Sequence, residues 1–131
     1  MEVKPSGNML GLFSSRLYKS GELLLEIKGE VISHPVRTSI QVGPGKHVDV
    51  VVPVKFINHS CRPNTKVEGE KILALREIYP GDEITFDYQA TEEKLSDPFI
   101  CRDCGGWVKG SRFRGENRCL SGVEQKIKET Q

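Results

Sequence analysis

No run of apolar residues in this 131-residue chain approaches the roughly 20 needed for a helix to cross a bilayer, so no stretch is a candidate membrane span. A surplus of one charge is missing too. Nineteen Lys and Arg face eighteen Asp and Glu, for a net charge of +1. That balance removes the basic footprint of a direct nucleic-acid binder and leaves protein partners of either sign open. The opening MEVKPSGNMLGLFSS has no long apolar stretch and no obvious cleavage site, so it does not read as an export signal. Cysteine is scarce, with Cys61, Cys101, Cys104 and Cys119 making up the four. Without an export signal they read as thiols or metal ligands rather than a disulfide framework, and the chain reads as intracellular, nucleus and cytoplasm not distinguished. No long helical periodicity occurs before the C-terminus, and nothing repeats or is low in complexity.

What is present is a series of short apolar segments punctuated by Gly and Pro. Glu22–Ile27, Val31-Ile32, Thr38–Val42, His47–Val52, Ile72–Leu75 and Ile84–Tyr88 read as strands. Gly43-Pro44-Gly45-Lys46 and Pro80-Gly81-Asp82 read as turns between them. Met9–Phe13 starts a glycine-bounded strand, Glu92–Leu95 suits a short helical turn, and Val123–Glu129 suits a terminal helix. The length fits one mostly-β domain with a real core.

Four polar or glycine-rich elements stand out. Phe56-Ile-Asn-His-Ser-Cys-Arg-Pro-Asn64 sets Asn58, His59, Ser60 and Cys61 side by side after an apolar pair. A capped loop accounts for one or two such residues, not for the whole run. Gly81-Asp-Glu-Ile-Thr-Phe-Asp-Tyr88 opens as a turn and ends in Asp-Tyr. Alternation puts Ile84, Phe86 and Tyr88 on one face, so a phenol ends an apolar wall; an ordinary strand-end tyrosine is the plain alternative. Gly7–Phe13 brackets a stretch whose backbone can approach a ligand, or simply turn. Phe99-Ile-Cys-Arg-Asp-Cys-Gly-Gly-Trp-Val-Lys-Gly110 carries a C-x-x-C that suits either a zinc knuckle or two free thiols.

Taken in order, these elements resemble the SET domain of protein lysine methyltransferases. GNMLGLF is similar to that family's N-terminal glycine motif, FINHSCRPN to its most diagnostic motif, GDEITFDY to its C-terminal motif, and PFICRDC with GGWVKG to a post-SET cysteine tail. TSIQVGPGKHVDV is similar to core strands of the small single-domain members. The resemblance runs from about Gly7 to Phe113. It implies a β-clip-like fold of short sheets with a threaded, pseudoknotted C-terminal segment, a SET domain over 1–95, a cysteine tail over 96–115 and a polar terminus over 116–131.

The activity implied is S-adenosylmethionine-dependent transfer of a methyl group to a protein lysine, histone or other. Tyr88 would be the catalytic phenol, and Phe86 would leave room for di- or trimethylation. Met9, Leu10, Gly11, Leu12, Phe56, Asn58 and His59 would hold the cofactor, with Trp107 as a lid on adenine. Cys61, Cys101 and Cys104 would hold zinc, completed by Cys119 or solvent. The chain departs from the family in a shorter cysteine tail and in having almost no insert between Val31 and Phe56, where no tyrosine stands. A catalytically weak or inactive SET-fold interaction module is therefore the competing reading, and a redox or metal protein built on C-x-x-C a third.

Overall fold

The computed structural model describes residues 1–113. Within them the chain forms short strands: β1 (Glu2–Ser6), β2 (Met9–Phe13), β3 (Leu23–Glu26), β4 (Gly29–Ile32), β5 (Ser39–Gly43) and β6 (Lys46–Val50). There follow β7 (Asn58–His59), β8 (Thr65–Glu68), β9 (Lys71–Ala74), β10 (Thr85–Phe86), a single helical turn α1 (Tyr88–Thr91), β11 (Phe99–Ile100) and β12 (Trp107–Val108). They assemble into five small sheets: β1-β2, β3-β9-β8, β4-β6-β5, β7-β10 and β11-β12. The fold is the mostly-β arrangement of short sheets that the sequence implies.

Local chemistry explains the connections. β1 and β2 pair from Glu2↔Phe13 to Ser6↔Met9, leaving Gly7-Asn8 as the hairpin loop. Gly7 takes φ +62°, the left-handed first loop position that glycine reaches without penalty. Pro5 is tolerated in β1 because an edge strand has no inner partner for the missing N–H. The anticipated Gly43–Lys46 turn joins β5 to β6.

One segment positions the site. Ile78 bonds Tyr18, Ser14 N donates to Asp82 O at 2.9 Å, and Ile84 N donates to Leu12 O at 2.8 Å, so residues 78–84 run along the N-terminal hairpin. The same segment then becomes β10, whose pairing with β7 is parallel, Thr85↔Asn58 and Phe86↔His59. Two distant motifs are thereby held in register side by side. The packing beneath is aliphatic: Leu12, Ile57, Ile72, Ile78 and Ile84 are essentially sealed from solvent, each worth about 1.5–3 kcal/mol of burial. A second cluster of Cys61, Leu95, Cys101 and Val108 lies under the cysteine tail. Tyr88 packs against both clusters.

Three readings change. The strand expected over 84–88 stops at Phe86, because Asp87 caps a helical turn: its Oδ1 accepts from Gln89 N at 2.9 Å. Tyr88 therefore sits at the start of α1 rather than on the strand face shared by Ile84 and Phe86. The helical turn expected over 92–95 is found instead over Tyr88–Thr91, and Glu92 ends it. β1, β8 and the two-residue ladders of the tail were not anticipated. The expected helix over 123–129, and Cys119, lie outside the described residues.

Candidate active site

β7 and β10 deliver their side chains to one wall. His59 is buried, and its Nδ1 accepts a hydrogen bond from Tyr88 N at 3.0 Å. Burial lowers its pKa to about 4, opposed by the charge of Asp103. His59 is thus neutral at pH 7 with Nδ1 as acceptor, and Asp87 Oδ1, 3.6 Å from that nitrogen, forms no ion pair with it. Burial likewise raises the Asp87 carboxyl above its ordinary range.

Tyr88 is held from three directions. Its hydroxyl donates to Ile57 O at 2.6 Å. Its ring meets Phe86 at 4.8 Å between centroids, His59 at 5.3 Å and Phe99 at 5.7 Å, the last two edge-on. Burial, then the nearby Glu92 carboxylate, pushes the phenol pKa well up, so it stays protonated.

Below this wall lies a hub on Glu83. Its Oε1 accepts from Ser6 Oγ at 2.6 Å and its Oε2 from Asn58 Nδ2 at 2.8 Å. Arg102, inside the C-x-x-C, reaches Glu83 Oε1 at 3.3 Å and donates to Ser6 Oγ at 2.7 Å. Asn58 Nδ2 also donates to Leu10 O at 2.9 Å. Both amide hydrogens of Asn58 are thus occupied, so its side chain can offer a ligand only Oδ1.

Asn58, His59, Tyr88 and Arg102 border a cavity of about 730 Å³, within the usual span for small-molecule sites of about 300–1,000 Å³. Its lining includes Met9, Asn58, Phe99 and Ile100, residues 36–40 of the approach to β5 with Glu92 and Leu95, and Phe56, His59, Phe86 and Tyr88. Of the N-terminal residues, Met9 lines this cavity, Leu10 offers its carbonyl to Asn58, Gly11 packs on Glu83, and the Leu12 side chain is in the core. Trp107 is half exposed, pairs across from Ile100 and has Lys109 5.8 Å from its ring; it does not line the cavity. Phe99, Ile100, Glu83, Glu92 and Arg102 are site residues to which the sequence reading gave no role. All but Glu92 stand inside the quoted motifs, where no role was read for them.

The three thiols of Cys61, Cys101 and Cys104 have sulfur atoms all within 4.8 Å of one another, the first two buried and the third exposed. That spacing and an all-sulfur donor set suit a zinc ion, whose bonds to sulfur are about 2.3 Å.

A profile of the SET domain matches residues 9–89, which is most of the wall just described. The chain belongs to the SET-domain family. Among curated proteins, human histone-lysine N-methyltransferase 2B is 36% identical over 120 residues, covering 72% of this chain and 4% of that protein. A Schizosaccharomyces pombe histone-lysine N-methyltransferase, H3 lysine-4 specific, is 32% identical over 127 residues, covering 76% of this chain and 14% of its own. The methyltransferase flvH of Aspergillus flavus is 32% identical over 83 residues, covering 57% and 47%. The chain spans less than half the length of these relatives. This SET domain is thus similar to methyltransferases, and among its described residues no helix is long and apolar enough to cross a membrane.

Proposed function

We propose that this SET domain transfers a methyl group from S-adenosylmethionine to the side-chain amine of a protein lysine, a histone lysine being the acceptor its relatives' names point to. The observation that carries the reading is the Tyr88 hydroxyl, fixed at 2.6 Å on Ile57 O in the wall of a cavity that also meets Asn58, His59 and Met9. The cavity's volume and its mixture of aromatic, aliphatic and amide lining fit an adenosyl-sized ligand. Met9 and Asn58 would hold it, with Phe99 and Ile100 as apolar faces of the same lining. When bound, that ligand supplies an activated methyl on a sulfonium centre.

The chain's own residues do the rest by alignment. The phenol of Tyr88 donates to Ile57 O, which aims its oxygen lone pairs and leaves them to orient an amine and a methyl through N–H···O and weak C–H···O contacts. His59 holds Tyr88 from behind through the Tyr88 N–H. The aromatic walls of Phe56, Phe86 and Tyr88 disfavour an ammonium and favour the neutral amine, because burial penalises the charged form. Held geometry of this kind is worth several kcal/mol in a two-centre displacement. Phe86, which cannot hydrogen-bond the amine, leaves room for more than one methyl. Cys61, Cys101 and Cys104 would hold zinc away from the reacting centre, tying the Asn58–Cys61 loop to the tail.

The test is incubation with methyl-labelled S-adenosylmethionine and mixed histones or cell lysate. Label appearing on protein lysine and lost in Tyr88→Phe supports the reading. Binding of the labelled compound with no transfer to any protein would refute turnover and favour a non-catalytic interaction module.

A further inference from the structure

One carboxylate in the cavity wall has no part in the account above. Glu92 follows Tyr88 by four residues, across the single turn of α1, so the two side chains leave the same side of the helix. Glu92 N donates to Tyr88 O at 2.8 Å. Glu92 is 6% exposed, yet it lines the same cavity as Tyr88. Its carboxylate is anchored on one side only: Oε2 accepts from Gln41 N at 2.7 Å and from Thr91 Oγ1 at 2.8 Å. Oε1 has no hydrogen-bond partner among the described residues, and no lysine or arginine there forms a salt bridge with Glu92. Nearby, His47 is buried with an unbonded Nδ1.

A buried carboxylate with one oxygen pinned and the other without a partner costs stability unless a cation comes to it. The cations that line the cavity do not serve. Arg102 is engaged by Glu83 and Ser6, and Arg37 and Lys55 are exposed at the rim. Asp97, an exposed residue of the same lining, adds a second negative group.

We propose that Glu92 is the acceptor-binding residue: its Oε1, which no described residue bonds, receives the ammonium of the incoming lysine in an encounter position, from which the nitrogen gives up its proton to solvent before the neutral amine moves on to Tyr88. This rests on the lysine-methyltransferase reading and deepens it. Asp97, an exposed lining residue, draws the charged side chain in, and Glu92 holds it until the proton is lost. The direction of the Glu92 carboxyl pKa agrees, being raised above its ordinary range by burial and pulled back by the bonds from Gln41 and Thr91 and the charge of His47. A carboxylate in that state gains most from a cation.

The experiment titrates the full chain with Nα-acetyl-lysine amide and with its uncharged analogue Nα-acetyl-norleucine amide, following backbone amide signals by NMR. The expected result is binding of the lysine amide about ten- to a hundredfold tighter than the norleucine amide, the ratio a charge-assisted hydrogen bond produces. The Gln41 amide, bonded to the same carboxylate, should shift with it. Glu92→Gln keeps an oxygen for Gln41 N and removes the charge, so the preference should collapse to within about twofold with the spectrum otherwise native. Equal shifts from both amides on the wild-type chain, or none from either, would overturn the proposal even if Glu92→Gln fails to fold. A lysine preference that survives in a folded Glu92→Gln would overturn it as well. Absence of labelled methyl transfer with this preference intact would instead count against the catalytic reading alone.

Discussion

Replacing Gly11 by alanine is the sharpest probe of how the wall is built. Gly11 does not use the left-handed φ that would forbid a side chain. On backbone grounds alone Gly11→Ala should be neutral or stabilising by about 0.4–1 kcal/mol, through the unfolded chain. The surroundings say otherwise. A Cβ there would stand 2.5 Å from Glu83 Oε2, 3.0 Å from Glu83 Cδ and 3.1 Å from Ser6 Cβ, where ordinary contact begins at 3.4 Å. Glu83 would have to retreat, and its carboxylate holds Ser6 at 2.6 Å and Asn58 at 2.8 Å. Losing one charge-assisted bond costs about 1.5–3 kcal/mol and overpacking costs a similar amount. These are two routes for relieving one clash, so the expected loss is about 2–3 kcal/mol. For a domain of this size that is a fall in melting temperature of roughly 10 °C. The assay is thermal unfolding by circular dichroism of Gly11→Ala, Glu83→Ala and the double variant. Removing Glu83 should relieve the clash, leaving the two penalties sub-additive by about 1–2 kcal/mol. A Gly11→Ala protein that melts with or above the parent, or penalties that simply add, would refute the reasoning.

Acidification should weaken the fold through His59. Its folded pKa of about 4 lies below the free value of 6.5, so the unfolded chain binds the extra proton first and stability is lost as pH falls from about 6.5 toward 4, by up to about 3 kcal/mol. Asp87 and Glu92, with raised folded pKa, act in the opposite sense as they take up protons. Urea midpoints at pH 7 and pH 5 should therefore differ more in the parent than in His59→Gln, and equal pH shifts in both would count against the assignment. Tyr88→Phe should keep its ring contacts, cost about 1 kcal/mol of stability, leave cofactor affinity within about twofold, and cut methyl transfer about 100-fold, the scale of a misplaced reactant; calorimetry and the labelled assay read both. One zinc per chain should co-purify and leave with a chelator, with a lower melting temperature, and Cys104→Ser should lower the zinc content measured by elemental analysis; a metal-free protein with unchanged melting would rule the ion out.

Much of the scaffold was legible because alternating strands and glycine turns are local. β3, β5, β6 and β9 fall where apolar segments end in Gly, Pro or polar residues. β1 was hidden because EVKPS is charged, contains proline and pairs only along an edge. The end of β10 was misread because alternation carries no information about capping, and Asp87 redirects the chain with one side-chain bond. Within the site, Asn58, His59 and Tyr88 sit in dense motifs that stand out. Glu83 and Arg102 lie in the quoted motifs as well, yet each is an ordinary charged residue until residues 6, 58, 83 and 102 meet. Glu92 has the same difficulty: its meaning comes from Gln41, about fifty positions earlier.

The Glu83 hub also bears on how the protein is born. Because that carboxylate gathers groups from near the start, the middle and the tail of the chain, a polypeptide emerging from the ribosome cannot complete this side of the pocket until Arg102 has cleared the exit tunnel. Contacts so far apart along the sequence form slowly, so premature termination before residue 102 should release a chain with its hairpins formed and this corner unassembled.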